Sequence, residues 1–540
     1  MAVTLEPLTY DRFKGIREFN GVNYGGEISA ITCDNVELIQ TEIGNNTGIK
    51  TMQGNAELYT LPSGYSIKGV FASEQDNVIY RFIYAETAAK GTLFYINISD
   101  EPTVLVDDLT VTGKCNGLTM SATAYDVFIF TNGEEAYTVC FTSDQQYPYN
   151  QVQPLNFTLS GSTKTYKTDY LGNDIKFLAM TTWNGCLVVA TDYGVRGSHD
   201  NDIYTWNDNP QDISDSWYIN YTEKVTALYA YTGGLFIFTD DNTDFLNANP
   251  INASSMLVTT AGVGCHSFDS IVKHDTYLFF YSNIQKNIYM IQNIDNGQTR
   301  PTGPLAKEVQ SAFKDVKNIQ MYSCIYDNKN EIWVFITDNS NKFKCYIYNY
   351  NLGEWVTRSG MQMSSLCLIN NTILTALGNK VYYENMNNTF NGVPVIAKYQ
   401  TCFINAGSNT NLKKQKTPLL IVLNDSYTND FYVQLIINGK PKKEKHVKLG
   451  GGAAGVYGTT EEELEITPDN QVYGSKEDTA DNCAHYGEYN PYSKKVVEIS
   501  TPQTWYTMSI IIKTTEANQG FYIYSMELKN MKAKLKTRGR

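Results

Sequence analysis

From Ala179 the chain reads AMTTWNGCLVVATDYG. A mixed strand leads into an Asn-Gly turn, then a run of five apolar residues, then a Thr-Asp stop. The same pattern of strand, tight polar turn, apolar strand and polar stop recurs in VFASEQDNVIYRFIYAE from Val70, SATAYDVFIFTNG from Ser121 and ALYAYTGGLFIFTDD from Ala227. It appears again in SIVKHDTYLFFYSN from Ser270, SCIYDNKNEIWVFITDN from Ser323 and SLCLINNTILTALGN from Ser365. Asn184-Gly185 and Gly233-Gly234 suit two-residue hairpin turns, which need positive φ to match the twist of the flanking strands. Unbroken apolar runs predict second strands covered on both faces. A more polar third strand follows several copies: GTLFYINIS, AYTVCFTS and KCYIYNYN.

Seven copies at spacings of about forty to sixty residues predict a radial array of small sheets, a β-propeller, because such sheets bury both faces only by stacking around an axis. A sandwich array is the alternative. One stretch breaks the pattern. In PLAKEVQSAFKDVKN, residues Leu305, Val309, Ala312, Phe313 and Val316 fall at helical spacing, which predicts a connecting helix of about four turns with Pro304 near its start. From Val393 the repeat ceases. Longer strands follow, PLLIVLND, DFYVQLIING, KKVVEIST and WYTMSIIIKT, with an Asn438-Gly439 hairpin turn. The expected fold is all-β: residues 1–60 an N-terminal arm and strand pair joining the propeller, 61–392 a propeller of about six to eight blades, and 393–540 a β-sandwich-like domain ending in a basic tail.

Composition agrees. Forty Tyr among 540 residues favour half-buried pleated surfaces. The formal charge of −13 argues against a general nucleic-acid binder held by phosphate contacts. Ten scattered Cys form no C-x-x-C pair, so a zinc ribbon or redox motif is excluded, and free thiols in apolar strands suit folding in a reducing cytoplasm. The start MAVTLEPLTYDRFKG lacks the basic-then-apolar order of a secretory signal. No apolar run is long enough to span a membrane.

Candidate chemistry is sparse. The five His form no metal-spaced pair, no G-x-S-x-G elbow occurs, and no cofactor motif is present. The Gly-rich GGGAAGVYG from Gly450 lacks the order of a phosphate loop. YGVRGSHDNDIYTWND, the most polar cluster, reads as a connecting loop. The expectation is therefore a protein that is not an enzyme. What stands out is charge. GKPKKEKHVK carries Lys442, Lys443 and Lys445; EEELE carries Glu461, Glu462 and Glu463; and the last twelve residues carry Lys532, Lys534, Lys536, Arg538 and Arg540 with no acid. These are the candidate subunit or partner contacts.

The order of segments resembles the propeller-bearing tail nozzle (tail stabilisation, or tubular B-type) proteins of short-tailed, podovirus-like bacteriophages. The likeness lies in the opening FNGVNYGGEISAITCDNVELIQTEIGNNTGIKTMQG, in NDIYTWNDNPQDISDSW, in the stretch from Pro304 through CIYDNKNEIWVFI to YNYNLGEWV, and in the ending GFYIYSMELKNMKAKLKTRGR. It implies a virion protein made in the host cytoplasm, forming a ring of six copies that contacts tail adaptor or tube proteins and tail fibres. Such a ring retains the packaged genome and conducts DNA without reading its sequence. A propeller lectin recognising host-surface glycan is the competing expectation, suggested by the wealth of Tyr and Trp.

Overall fold

In the computed structural model the chain is all-β, built of strands joined by turns and short 3₁₀ segments, with several small antiparallel sheets. The structure describes every residue except 1, 6, 19–26, 42–45, 76–77, 97–100, 123–124, 142–151, 156, 159–164, 167–175, 192–193, 204–205, 207–215, 232, 251–254, 293–299, 327–328, 407–411, 416, 425–426, 450–454, 457–484, 487–493, 503 and 535–540. Two compact units emerge. A repeat unit comprises Asn55–Cys345 and Met361–Glu384; a composite unit comprises Met1–Gly54, Tyr346–Gly360 and Asn385–Arg540.

All seven repeated stretches form antiparallel hairpins in the repeat unit. Ser66–Gln75 pairs with Val78–Glu86, Asn116–Ala122 with Tyr125–Thr131, Met180–Trp183 with Cys186–Thr191, and Val225–Tyr231 with Gly234–Thr239. Ile271–His274 pairs with Tyr277–Ser282, Val316–Tyr326 with Lys329–Asp338, and Ser365–Ile369 with Thr372–Leu377. Asn184 (φ 49°) and Gly185 (φ 77°) make the turn their types predicted. The first four hairpins each extend, in chain order, to a four-stranded meander. In the seventh sheet the third strand is Lys380–Glu384, and the fourth is Asn55–Thr60, from the other end of the unit, in the register Lys380↔Thr60 to Glu384↔Asn55.

The apolar second strands are buried, as their unbroken runs require: Leu235, Phe236, Ile237 and Phe238 are each fully enclosed. The cores lie between successive sheets. Phe82 stacks on Phe128 between the first and second, with ring centroids 4.1 Å apart. Val127 and Val189 share a core between the second and third, Val188 and Ile237 between the third and fourth, and Phe238 and Phe280 between the fourth and fifth. One further core joins Leu374 and Val381 of the seventh sheet to Ile67 and Ile83 of the first.

The helix expected at Pro304 is instead a 3₁₀ segment, Lys307–Phe313, kinked at Val309 (φ −129°, ψ 30°). Of the residues at that spacing, Val309, Phe313 and Val316 are buried and Leu305 and Ala312 only partly so, but Val316 opens a strand and pairs with Asp338. Strand pairing over eleven residues outweighs the weak helical preference of a short segment.

The division of the chain also differs from the sequence-based boundaries. The first 54 residues belong with the C-terminal strands, not with the repeats. Leu8–Tyr10 pairs with Tyr522–Leu528, Thr47–Thr51 with the same strand, and Glu27–Asp34 with Lys398–Thr401. Asn429–Ile437 pairs with Met508–Lys513 and with Lys445–Leu449, while Leu419–Asn424 lies between Lys494–Ile499 and Tyr522–Leu528. The Gly-Glu-Trp stretch closes this unit. Buried Glu354 accepts hydrogen bonds from the Gly15 amide (3.0 Å) and the Arg17 guanidinium (2.9 Å), with Lys14 at 3.5 Å. Gly15 is required there, because a Cβ would lie 2.1 Å from the Trp355 carbonyl oxygen.

Candidate functional site: a lysine cleft in the composite unit

Met531–Lys534 is no free tail. It is an inner strand of a four-stranded sheet, between Ala2–Thr4 and Leu412–Gln415, with Thr504–Trp505 beyond. Met531 is wholly buried. The basic-tail expectation is therefore corrected at Lys532 and Lys534, both of which are strand residues. Sequence reasoning read the density of charge but missed that apolar Met531 anchors the segment.

Alternation along Leu412–Gln415 sorts its two lysines. Lys413 is fully buried. Its ammonium donates to the Tyr506 carbonyl (2.8 Å) and sits over the Trp505 ring (5.5 Å), and burial lowers its pKa. Lys414 points outward and faces Lys532 directly across the strand pair. Like charges in that position repel. Neither forms an ion pair with an acid among the described residues. A cleft of about 960 Å³ opens beside them, lined also by Lys445, Glu498, Thr417, Ser500 and Thr504. Lys445 donates to the Glu498 carbonyl. The Thr501 hydroxyl donates to the Thr417 carbonyl at 3.1 Å, and the Thr417 hydroxyl to the Lys529 carbonyl at 2.6 Å, so the rim is braced.

The structure thus brings together Lys445 and Lys532, 87 positions apart in the sequence (532 − 445), and adds Lys414, which the sequence reading did not single out. The available signal was the Lys-Lys pair in an alternating strand, one of which must face out. Lys442 and Lys443 are exposed beyond the Asn438-Gly439 turn and do not line the cleft. Elsewhere in the basic run, charges are matched locally: His446 meets Asp430 at 2.7 Å and stacks on Tyr432, and Lys448 lies 3.6 Å from Asp430. Glu461, Glu462, Glu463, Lys536, Arg538 and Arg540 lie outside the described residues.

Three ammonium groups with hydroxyls and one carboxylate can hold an anionic group by charge-assisted hydrogen bonds. Among the described residues no group of three or more His, Cys, Asp and Glu is placed to hold a metal ion, and no helix is long and apolar enough to cross a membrane. Burial pushes thiols such as Cys186 and Cys265 up to about 12.

No protein-family model matches the sequence, and no curated protein matches it. Among solved structures the chain is similar to the WD40 domain of Pan2 from Neurospora crassa, with 7% identity over 63% of this chain and 97% of that one, at a TM-score of 0.36.

Proposed function

We propose that this chain is a structural virion protein of a short-tailed phage, a tail nozzle whose copies form a ring that closes the tail channel, retains the genome and conducts DNA on ejection. The observation that carries the assembly is the lysine cleft. Lys414 and Lys532 are held face to face on an inner pair of strands, and their repulsion is relieved when an acidic surface docks. The chain carries 56 acidic against 43 basic residues, so another copy offers such a surface away from its own cleft. A cationic patch meeting a different, acidic patch is a head-to-tail contact, and such contacts close into rings when the rotation permits. The net charge of −13 also suits a conduit, since duplex DNA carries about one charge per 1.7 Å and sticks to a basic wall. The tail assignment itself rests on the resemblance in segment order.

In this reading the repeat unit is a seven-bladed β-propeller, with Asn55–Thr60 completing the last blade, and the composite unit is a β-sandwich-like body. Both serve as rigid scaffolds, the role is not catalytic, and the ring meets tail adaptor or tube proteins and tail fibres. Gold-labelled antibody against the chain, applied to intact virions, tests the assignment. Label at the distal tip of the tail supports it. Label confined to soluble lysate protein overturns it.

A further inference from the structure

The repeat unit contains two adjoining cavities of about 680 and 610 Å³, sizes usual for small-ligand sites. Asp269 lines both, as do Lys114, Phe268 and Gln320. The 3₁₀ turn Phe268–Ser270 presents Asp269 rigidly. Ser270, fully buried, accepts a hydrogen bond from the Ser267 amide (2.9 Å) and returns one to the Ser267 carbonyl (2.8 Å). The Asp269 carboxylate itself receives no hydrogen bond and forms no ion pair with any described residue; Lys114 acts on it only through space. Asp269 is half-buried in the cavity wall, and burial pushes its carboxyl up to about 7. Unpaired carboxylates in enclosed sites are unusual in a scaffold and common where a ligand completes them.

The surroundings select the ligand. A cation meets Lys114, Lys224 and Lys68, the last 4.0 Å from Glu86, and Lys176, which pairs with Glu134; an anion meets Asp269 itself and Asp240. The ligand is therefore neutral and must donate hydrogen bonds to Asp269. Gln320 gives one N–H to the Ser364 carbonyl (3.3 Å), which leaves its amide oxygen for another donor. Phe268, Phe71 and Tyr229 add flat apolar walls. Neutral, rich in hydroxyls and with an apolar face, the matching class is a saccharide.

We propose that this cavity binds a neutral saccharide, with Asp269 accepting hydrogen bonds from its hydroxyls and Phe268 packing against its carbon face. This goes beyond the ring reading and does not depend on it. The charged and titratable groups around the cavities that hold Asp269 are Lys114 and Cys115 from the segment before Asn116, Lys68 from the first sheet, Lys224, Asp240, Glu134 with its partner Lys176, Tyr322 from the sixth sheet, and His266 on its own loop. Burial raises the Cys115, Tyr322 and Asp240 pKa values and lowers that of His266, while the Asp269 carboxyl is the one pushed up to about 7.

The test uses the full chain, titrated by calorimetry with methyl α-D-mannopyranoside, methyl α-D-galactopyranoside, methyl α-D-glucopyranoside and N-acetylglucosamine at pH 8.5 and pH 5.5, with inorganic phosphate as the anionic probe. The expected result is binding of at least one saccharide at pH 8.5, at least tenfold weaker at pH 5.5, with Asp269→Asn weakening it at least tenfold and flattening the pH response. Gln320→Ala weakens saccharide binding in a second, independent way. Circular dichroism checks that each variant folds. Absence of saccharide binding at both pH values, binding indifferent to Asp269→Asn, or a cavity that takes phosphate instead would overturn the proposal.

Discussion

Leu61 is the place to test whether the repeat unit is a closed succession of sheets. It follows the strand Asn55–Thr60, is 1% exposed, and sits in the core that joins the seventh sheet to the first. Its amide donates to the Asn379 carbonyl (2.8 Å), and its carbonyl accepts from the Asn379 side chain (2.6 Å). Leu61→Ala removes three buried carbons, worth about 2.4 kcal/mol of transfer free energy at ~0.8 each. The cavity left behind adds about 1–2 kcal/mol, because packed surroundings relax only in part. The expected loss is about 3–4 kcal/mol. Asn379→Ala, which removes one hydrogen bond, costs about 1 kcal/mol. Hydrogen exchange read by mass spectrometry localises the effect. Amides of Asn55–Thr60, Lys380–Glu384 and Ser66–Gln75 speed up together, by roughly two to three orders of magnitude if exchange tracks opening free energy. A cost below about 1 kcal/mol, or faster exchange in Asn55–Thr60 alone, would refute the reasoning, since that strand would then be an appendage rather than part of a closed succession of sheets.

Three other outcomes follow from the geometry. Glu354→Gln, which cannot charge-pair with Lys14 and Arg17, destabilises the composite unit by about 1–3 kcal/mol in chemical denaturation, and adding Arg17→Ala costs less on that background than alone. Lys414→Glu places an acid opposite Lys532, so the isolated chain keeps its stability or gains a few tenths of a kcal/mol while assembly, followed by light scattering, weakens. Asp269 has a folded pKa raised to about 7 from an ordinary value near 3.8, so the folded state holds the extra proton between those limits and stability falls as pH rises through them. Asp269→Asn removes that loss: thermal melts show the variant more stable than the parent above pH 7, by about 2–4 kcal/mol, with the difference vanishing towards pH 4.

The repeats were legible because their signals are local. An Asn-Gly turn and a run such as CLVVA fix a hairpin within about a dozen residues, and each of the seven stretches folds so. The connecting helix misled because Leu305 to Val316 matches helical spacing by coincidence, and the long strand starting at Val316 claims the end of it. The division into units was hidden for a different reason. Leu8 pairs with Leu528 and Glu27–Asp34 with Lys398–Thr401, and pairings so distant leave no periodic trace. The site was half visible. Lys445 and Lys532 stood out as charge, but only the register Lys414↔Lys532 shows that they converge. Asp269 gave no signal: a single acid in SFDS becomes notable only once its lack of partners and its cavity are seen. Its neighbours were more readable. Lys114, Lys176 and Lys224 each precede the first-strand residues Leu118, Met180 and Leu228 by four positions, and all three line the same cavity.

The central claim is assembly, and the mass of the purified full-length chain in solution tests it most directly. The mass would be determined by sedimentation across a range of concentrations and salt, with and without the tail proteins that the proposed function names as partners. The account predicts a closed ring of identical copies, six by the resemblance, that loosens as salt screens the lysine cleft. A chain that stays monomeric at every concentration, even beside those proteins, would contradict it.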